Sequence, residues 1–262
     1  MTTDPVALLD VRDLTMRFGA FTALDSVTVT VAEGSATAIV GPNGAGKTTL
    51  LNCLCGMYRA ARGSIHLRGE RIDGLRPHQI VTRGVGRTFQ SVEQFRIMTV
   101  LDLALLGRHQ AFRTHLAQEA VGTSTSRAAE RLNREEVIEI LRELEIAHYM
   151  DSRLESLPYG VRKLADVARA LAGRPQLVLL DEPTAGMGPG EKQMLLEVFR
   201  RLRGRLFKTA VIIDHDVQFV QDLCEHSIVL DFGKTIASGP TASVFADRLV
   251  VEAYLGLPGP TK

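Results

Sequence analysis

The chain has 262 residues, 45% of them hydrophobic and 5% aromatic, and its 31 Lys and Arg nearly balance its 30 Asp and Glu. This length supports one sizeable core or two closely joined lobes. A net charge of +1 and the absence of Trp argue against a nucleic-acid-binding surface, which needs clustered basic side chains and stacking aromatics. We therefore expect no nucleic-acid partner.

The cysteines and the N-terminus give no sign of an exported protein. Cys53, Cys55 and Cys224 have neither disulfide-framework nor zinc-site spacing, which favours small buried side chains in a reducing cytosol. The opening MTTDPVALLD lacks the basic and apolar regions of a secretory signal, and the longest apolar runs are too short to span a membrane. We expect a chain that is soluble by itself and reaches a membrane only by docking to a partner.

The first third of the chain predicts strands around a glycine-rich turn. Alternating apolar and polar residues at 6–13 and 24–31 indicate antiparallel strands of an N-terminal β layer. A short buried strand at 35–40 leads into the turn, and a helix follows in KTTLLNCLCGM. A strand pair is predicted at 63–72 and another strand at 84–90.

Helical spacing dominates from about Met98 to Ser156, in VLDLALLGRH and EEVIEILRELEIAHYM. Between these segments VGTSTSRAAE is predicted to be a loop. Beyond residue 157, helices at 163–172, 190–203 and 216–224 alternate with strands at 177–181, 209–213 and 226–231. This alternation predicts a parallel sheet with crossover helices, and residues 256–262 are expected to form a frayed tail.

The glycine-rich turn carries the most specific chemical signal. It fits the pattern G-x-x-x-x-G-K-[ST] with Gly41, Pro42, Asn43, Gly44, Ala45, Gly46, Lys47 and Thr48. The glycines let the backbone wrap an anion, and the following helix adds the positive end of its dipole. Lys47 is predicted to reach the β and γ phosphates, Thr48 to ligate Mg²⁺, and Thr49 to donate to the α phosphate.

A second element of this site is LVLLDE at 177–182. A buried strand delivers Asp181 to the carboxyl end of the sheet, where ligands of such folds bind. Asp181 is predicted to hold the Mg²⁺ shell, and Glu182 is the candidate general base for water attacking the γ phosphate. Solvated carboxylates at a strand end are the alternative. A Rossmann oxidoreductase is excluded because no G-x-G-x-x-G follows the first strand.

The order of these motifs over nearly the whole chain resembles the nucleotide-binding subunits of ABC transporters. The resemblance implies an α/β P-loop NTPase cassette with a parallel core sheet, an N-terminal antiparallel β layer and an inserted α-helical subdomain. A single domain would span 1–262, with its core at 1–97 and 157–255 and the helical signature subdomain at 98–156. ATP and Mg²⁺ are the implied cofactors.

The resemblance also implies roles for three single residues. Gln90, in RTFQ, would sense Mg²⁺ and the γ phosphate and contact the membrane subunits. His215, in IIDHD, would contact the γ phosphate. Phe18, in MRFG, would stack on adenine.

The family hydrolyses ATP in a head-to-tail dimer, in which an L-S-G-G-Q-type signature of one subunit completes the site of the other. LPYGVRKLADVARAL occupies the signature position, so Tyr159 and Gly160 are implied to approach the partner's nucleotide. Pro158 lacks the hydroxyl and the N–H of a serine. Val161 also departs from the pattern, and Gly188 stands where the family usually has an aspartate.

These departures lead to a hypothesis of an asymmetric pair. The chain would pair with a second, non-identical ATPase, and the site built on Lys47 would be active while the partner's site is slow. The alternative is that Pro158 and Val161 are tolerated and both sites turn over, since the loss of one donor usually costs only a few kcal/mol.

Several stretches narrow the branch of the family. GVGRTFQSVEQFRIMTV, an insertion at 108–131, DEPTAGMGP and VVEAYLG resemble the branched-chain amino-acid uptake ATPases. This implies two transmembrane permease subunits, a second ATPase, a solute-binding protein and a place at the cytoplasmic face of the membrane. Residues 90–106, with Phe95 and Met98, would dock a membrane subunit, and the alternative is that these two side chains belong to the buried core.

Other readings remain open from the sequence. Urea, amide and lipopolysaccharide-export ATPases share parts of the pattern, so the substrate is inferred only at family level. A soluble ABC ATPase without a transport role and a largely non-hydrolysing nucleotide-dependent scaffold are the two functional alternatives.

Overall fold

The computed structural model describes residues 7–89, 91–108 and 124–255. Its strands are β1 (Ala7–Phe18), β2 (Phe21–Ala32), β3 (Ala36–Val40), β4 (Arg62–Leu67), β5 (Glu70–Arg71), β6 (Val85–Arg87), β7 (Leu177–Asp181), β8 (Thr209–Ile213), β9 (His226–Asp231) and β10 (Lys234–Pro240). Its α-helices are α1 (Lys47–Leu54), α2 (Pro77–Thr82), α3 (Val100–Leu106), α4 (Ser124–Glu143), α5 (Tyr159–Ala172), α6 (Pro189–Leu202), α7 (Val217–Leu223), α8 (Thr241–Phe245) and α9 (Arg248–Leu255).

Two sheets organise the chain. The core sheet has the order β10-β9-β3-β8-β7-β6, and all of its strands are parallel except the edge strand β10, which runs antiparallel to β9. The second sheet, β2-β1-β4-β5, is antiparallel throughout. The predicted parallel core sheet and antiparallel β layer are therefore confirmed.

The middle strands of the core sheet are covered on both faces. Every residue of β3, β7 and β8 is buried, as expected for parallel strands between two layers. Along β3, Ala38 and Val40 join the apolar cluster that contains α3 to α7, whereas Ile39 joins the cluster of α1 and the β layer. The phosphate loop thus leaves a strand that is fixed from both sides.

Register brings the functional segments to one edge of this sheet. Asp181 pairs with Ile213 at the carboxyl ends of β7 and β8, so Glu182 and Asp214 follow at the same level. Val40, the last residue of β3, pairs with Val229 of β9. The chain segments after β3, β7 and β8 therefore emerge side by side.

Several predicted boundaries were wrong. Helix α1 ends at Leu54 rather than at Met57, and β6 covers only Val85–Arg87 of the strand predicted at 84–90. Helix α5 begins at Tyr159 rather than at residue 163, because Pro158, with φ −52°, is suited to the position before a helix. The predicted loop at 121–130 is helical from Ser124 onward. The Ala, Glu, Arg and Leu residues of α4 favour a helix, and Arg131 and Glu135 form an i,i+4 pair within this helix.

Other elements were not predicted, namely α2, the antiparallel edge strand β10, and the helices α8 and α9. Gln90, residues 109–123 of the expected insertion and the expected tail at 256–262 lie outside the described residues. In the described part of the chain, no helix has the length and apolar character needed to cross a bilayer. The division into a core and a helical subdomain at 98–156 stays a prediction.

Candidate functional site

The loop between β3 and α1 has a backbone that only glycine accommodates at two points. Gly41 has φ +144°, and a Cβ there would lie 2.0 Å from the carbonyl oxygen of Leu230. Gly46 has φ +99°, and its Cβ would lie 2.6 Å from the carbonyl oxygen of Ala23. Neighbouring strands thus press directly on the loop, which explains why the sequence pattern needs glycine at both positions.

Lys47 is the first residue of α1, and its side chain is buried against the loop. Its Nζ donates to the carbonyl oxygens of Gly41 at 2.7 Å and Pro42 at 2.8 Å. Burial lowers the pKa of Lys47, while the charges of Glu182 and Asp181 act in the opposite direction. Thr48 and Thr49 follow in the first turn of the helix. The structure thus places a buried cation and a helix N-terminus at one loop, as an anion site requires.

Glu182 and His215 lie together although they belong to different loops. His215 Nε2 is 3.1 Å from Glu182 Oε1. Between their loops, the buried Asp214 accepts hydrogen bonds from the backbone N–H and the hydroxyl of Thr184, at 3.0 and 2.7 Å, and from the N–H of Asp216 at 2.9 Å. Asp214 therefore fastens the two loops, a role that sequence reasoning missed although IIDHD contains it.

Glu182 holds a backbone conformation that is uncommon for a side-chain-bearing residue. Its φ is +50°, and its N–H donates to the carbonyl oxygen of Ile213 at 2.8 Å. Such conformations cost of the order of 1–3 kcal/mol and persist where surrounding contacts fix them. The turn lifts the carboxylate out of the strand, where its side chain is 27% exposed, against 1% for that of Asp181. Neighbouring carboxylates in one motif thus have different access to water.

The oxygen atoms here fit a Mg²⁺ ion bound mainly through a nucleotide. Oδ1 of Asp181 is buried without a hydrogen-bond partner among the described residues. Thr48 lines a cavity of about 380 Å³ together with Arg87 and Phe89. Mg²⁺ usually takes one or two protein oxygens, with phosphate oxygens and water completing its shell. Accordingly, no metal-binding group of three or more His, Cys, Asp or Glu occurs within the described ranges.

Phe18 lies where the β1–β2 hairpin leaves an aromatic surface exposed. Its ring is 45% exposed and packs edge-on against Tyr58, with ring centroids 5.2 Å apart. Phe21, its partner across the hairpin, is 64% exposed. An exposed aromatic face is what adenine stacking requires, but stacking stays a prediction.

Tyr159 and Gly160 open helix α5. The Tyr159 ring packs on Gly186, whose added Cβ would lie 3.0 Å from the ring. A Cβ on Gly160 would meet Glu191 Oε1 at 2.9 Å. The same Glu191 accepts a hydrogen bond through Oε2 from the N–H of Gly188 at 2.9 Å. The signature segment and the loop at 185–188 therefore form one surface.

The unusual residues of this surface supply no capping side chain of their own at two helix starts. Pro158 precedes α5 and Gly188 precedes α6, and neither side chain offers a capping oxygen. Val161 is half-buried and packs against the apolar cluster around α5. The structure thus gives Val161 a packing role, while Pro158 leaves the first N–H groups of α5 uncapped by a side chain.

Tyr254, in α9, is a site residue that sequence reasoning missed. Its hydroxyl accepts a hydrogen bond from the backbone N–H of Gly41 at 3.0 Å. Burial raises the pKa of Tyr254, and the Gly41 bond acts in the opposite direction. The only signal in the sequence was the family-like ending VVEAYLG, which says nothing about a contact 213 residues away.

We expect Tyr254→Phe to lower the free energy of unfolding by about 1 kcal/mol and to weaken ATP binding several-fold, because the N–H of Gly41 loses its acceptor. Thermal unfolding and ATP titration measure the two effects. Tyr149→Phe is the control, since the Tyr149 ring packs on His148, with ring centroids 4.0 Å apart, and the substitution keeps this ring. Unchanged ATP affinity in Tyr254→Phe would show that the contact does not shape the loop.

Comparison with known proteins gives the same picture. Residues 24–185 match the ABC transporter family model. The chain is 36% identical to the high-affinity branched-chain amino acid transport ATP-binding protein BraF of Pseudomonas aeruginosa, over 95% of this chain and 98% of that protein. It is 34% identical to LivG of Escherichia coli, which has the same descriptive name, over the same shares of the two chains.

Solved structures agree with this similarity. A crystal structure of an ATP-binding cassette of an ABC transporter in its ADP conformation superposes with a TM-score of 0.81 at 30% identity, covering 95% of this chain and 99% of that one. A nucleotide-free cassette from an ABC transporter gives a TM-score of 0.80 at 29% identity, covering 95% and 98%. The α/β P-loop cassette predicted from the sequence is thereby confirmed. The chain belongs to the ABC transporter family and is one of its ATPase subunits.

Proposed function

We propose that the chain hydrolyses ATP to drive uptake of branched-chain or related amino acids, from the cytoplasmic face of the membrane. The observation that carries this proposal is similarity along 95% of the chain to BraF and LivG, which are named as branched-chain amino acid transport proteins. The chain's own contribution is the energy-converting step, and the substrate is recognised by other subunits.

The residues of the site divide the work of hydrolysis. The backbone N–H groups of Gly44, Gly46, Lys47 and Thr48 and the Lys47 ammonium hold the phosphates and oppose their negative charge. Glu182 accepts the proton of the attacking water, and His215, 3.1 Å away, orients the Glu182 carboxylate and reaches the γ phosphate. Thr48 and Asp181 would hold Mg²⁺, which would supply positive charge to neutralise the phosphates. Phe18 stacks on adenine. Gln90 senses Mg²⁺ and the γ phosphate.

The surface formed by Tyr159, Gly160 and residues 185–188 serves a second ATPase subunit in a head-to-tail dimer. Uncapped N–H groups at the start of α5 favour an anionic group such as a γ phosphate. Pro158 and Gly188 remove two side chains that the family usually supplies there. We therefore keep the asymmetric arrangement, in which the second ATPase is non-identical and the site on this chain's Lys47 turns over faster.

An apolar groove supports docking of a permease subunit. It encloses about 350 Å³ between α2, β6 and α3. Met57, Val81 and Leu106 line it and are 61%, 43% and 44% exposed. An apolar-faced cytoplasmic helix of a permease would bury these side chains. Ile97, which is 67% exposed, belongs to the predicted docking segment 90–106. Phe95 packs on Phe89, with ring centroids 5.3 Å apart, and so braces this region from within.

The test is affinity purification of the chain from its native membranes in mild detergent, with identification of the proteins that accompany it. We expect two permease subunits and a second ATPase with an unaltered signature. Uptake of labelled leucine should fail in cells that lack the chain and return with the wild-type chain. Recovery of a soluble homodimer alone, or leucine uptake that is independent of the chain, would contradict the proposal.

A further inference from the structure

Arg87, at the end of β6, has a guanidinium group placed between two elements of the nucleotide site. Its Nη2 donates to Asp181 Oδ2 at 3.0 Å, and its Nη1 donates to Asn52 Oδ1 at 2.6 Å. The Arg87 side chain is 15% exposed and that of Asp181 only 1%. The sequence pattern assigned no role to either Arg87 or Asn52.

The two acceptors belong to the two phosphate-site segments of the sequence. Asn52 lies on α1 one turn after Thr48, and Asp181 ends β7. Within the described part of the chain, no other side-chain hydrogen bond joins α1 to β7. Among side-chain hydrogen bonds, this guanidinium is therefore the link between the Asp181 carboxylate and the helix that carries Thr48.

Only one of the two carboxylate oxygens of Asp181 is hydrogen-bonded. Oδ2 accepts from Arg87, while Oδ1 is buried and has no hydrogen-bond partner among the described residues. Burying a polar oxygen without a hydrogen-bond partner costs free energy, and a ligand that binds this oxygen removes that cost. Only arginine supplies two donors in a rigid fork, since lysine offers a single point charge.

The backbone at Arg87 is fixed by contacts with helix α5. The Arg87 carbonyl oxygen accepts a hydrogen bond from Arg169 Nη2 at 2.7 Å. Arg169 also pairs with the fully buried Asp166, which accepts from the N–H of Phe89 at 2.5 Å. The backbone of residues 87–89 is thus fastened to helix α5, which restricts where the Arg87 side chain reaches.

We propose that Arg87 is a positioning residue for the metal-binding carboxylate of this site. Its fork fixes Asp181 relative to Thr48 and leaves Oδ1 available to the water shell of Mg²⁺. This inference rests on the role proposed above for Asp181. Partners of metal-binding groups typically contribute 10–100-fold to metal affinity, which sets the expected size of the effect at about tenfold.

The experiment titrates Mg²⁺ against a fluorescent ATP analogue bound to the whole chain, in a Glu182→Gln background in which the analogue is not turned over. Arg87→Lys and Arg87→Met should raise the Mg²⁺ concentration for half-maximal binding about tenfold. Affinity for the analogue in EDTA should stay within about twofold, because the phosphate loop itself is untouched. Asn52→Ala should shift the Mg²⁺ midpoint in the same direction, and combining it with Arg87→Met should add little, because both changes break one link.

Matched controls are Arg108→Lys and Arg108→Met. Arg108 is also largely buried and donates to an asparagine oxygen, Oδ1 of Asn133, but its partners lie on α4 and at the end of α5. These variants should leave the Mg²⁺ midpoint unchanged. Thermal unfolding checks that every variant folds. If the Arg87 variants do not fold, Asn52→Ala tests the link between Asp181 and α1 instead.

Three outcomes would overturn the inference. Equal weakening with and without Mg²⁺ would mean that Arg87 only supports the fold. A lower Mg²⁺ midpoint would mean that Arg87 competes with Mg²⁺ for Asp181. An unchanged midpoint in the Arg87 variants, with a raised one in Asp181→Asn, would refute the role of Arg87 alone. If Asp181→Asn also leaves the midpoint unchanged, the assignment of Asp181 fails instead.

Discussion

Glu182→Gln should reduce ATP hydrolysis by about 10²–10⁴-fold, the usual contribution of a general base. The amide is nearly isosteric, so the hydrogen bond with His215 Nε2, 3.1 Å away in the wild type, is retained. What is lost is the ability to take a proton from water. ATP affinity should remain within a few fold, because the phosphates are held by the loop and by Lys47 instead.

This variant should fold normally. Glutamine adopts φ +50° with the same difficulty as glutamate, so the backbone cost at residue 182 is unchanged. Phosphate release and ATP titration measure the two quantities, and Glu197→Gln, an exposed change on α6, is the control. Hydrolysis above a tenth of the wild-type rate would rule out Glu182 as the base.

The same variant tests the asymmetric pair in the assembled transporter. If the site on this chain carries most of the turnover, Glu182→Gln should stop transport, whereas the matching change in the partner ATPase should reduce it far less. Normal turnover of the complex with Glu182→Gln would refute the asymmetry. Equal losses from the two changes would mean that Pro158 and Val161 are tolerated.

Lys47→Met should weaken ATP binding by about 10–100-fold and remove hydrolysis with it. A hydrogen bond to a charged group is worth about 1.5–3 kcal/mol, and about 1.4 kcal/mol corresponds to one factor of ten. The loss should be larger for ATP than for AMP, because Lys47 is assigned to the β and γ phosphates. Isothermal titration with ATP, ADP and AMP measures how the loss of affinity depends on the number of phosphates.

Measuring the thermal stability of Lys47→Met distinguishes the expected loss of ATP binding from unfolding of the variant. Removing a buried ammonium relieves its desolvation cost, although the carbonyls of Gly41 and Pro42 lose their donor. We therefore expect a Tm close to that of the wild type. Lys192→Met, which breaks the ion pair with Asp216, is the control and should keep ATP affinity. Equal affinity of Lys47→Met for ATP and AMP would contradict the assigned phosphate contacts.

The sequence by itself determined the elements that carry the chemistry. A buried run of apolar residues predicts β3 and β7, and the glycine spacing predicts the loop before α1, because strand burial and positive φ are local properties. These features also identified Lys47, Asp181 and Glu182. Local patterns were less reliable where propensity and loop composition disagreed, as at the start of α4, where helix-forming residues prevailed over Ser and Thr.

Only the tertiary structure decided which side chains meet. Glu182 and His215 are 33 residues apart, Arg87 and Asp181 are 94 apart, and Gly41 and Tyr254 are 213 apart. The first two contacts follow from strand order and register in the core sheet, which bring the ends of β6, β7 and β8 to one edge, and the third follows from the packing of α9 beside the loop after β3. A local pattern specifies a strand and its buried face, but it does not specify the neighbouring strand, so these pairs become visible only once the sheet is assembled.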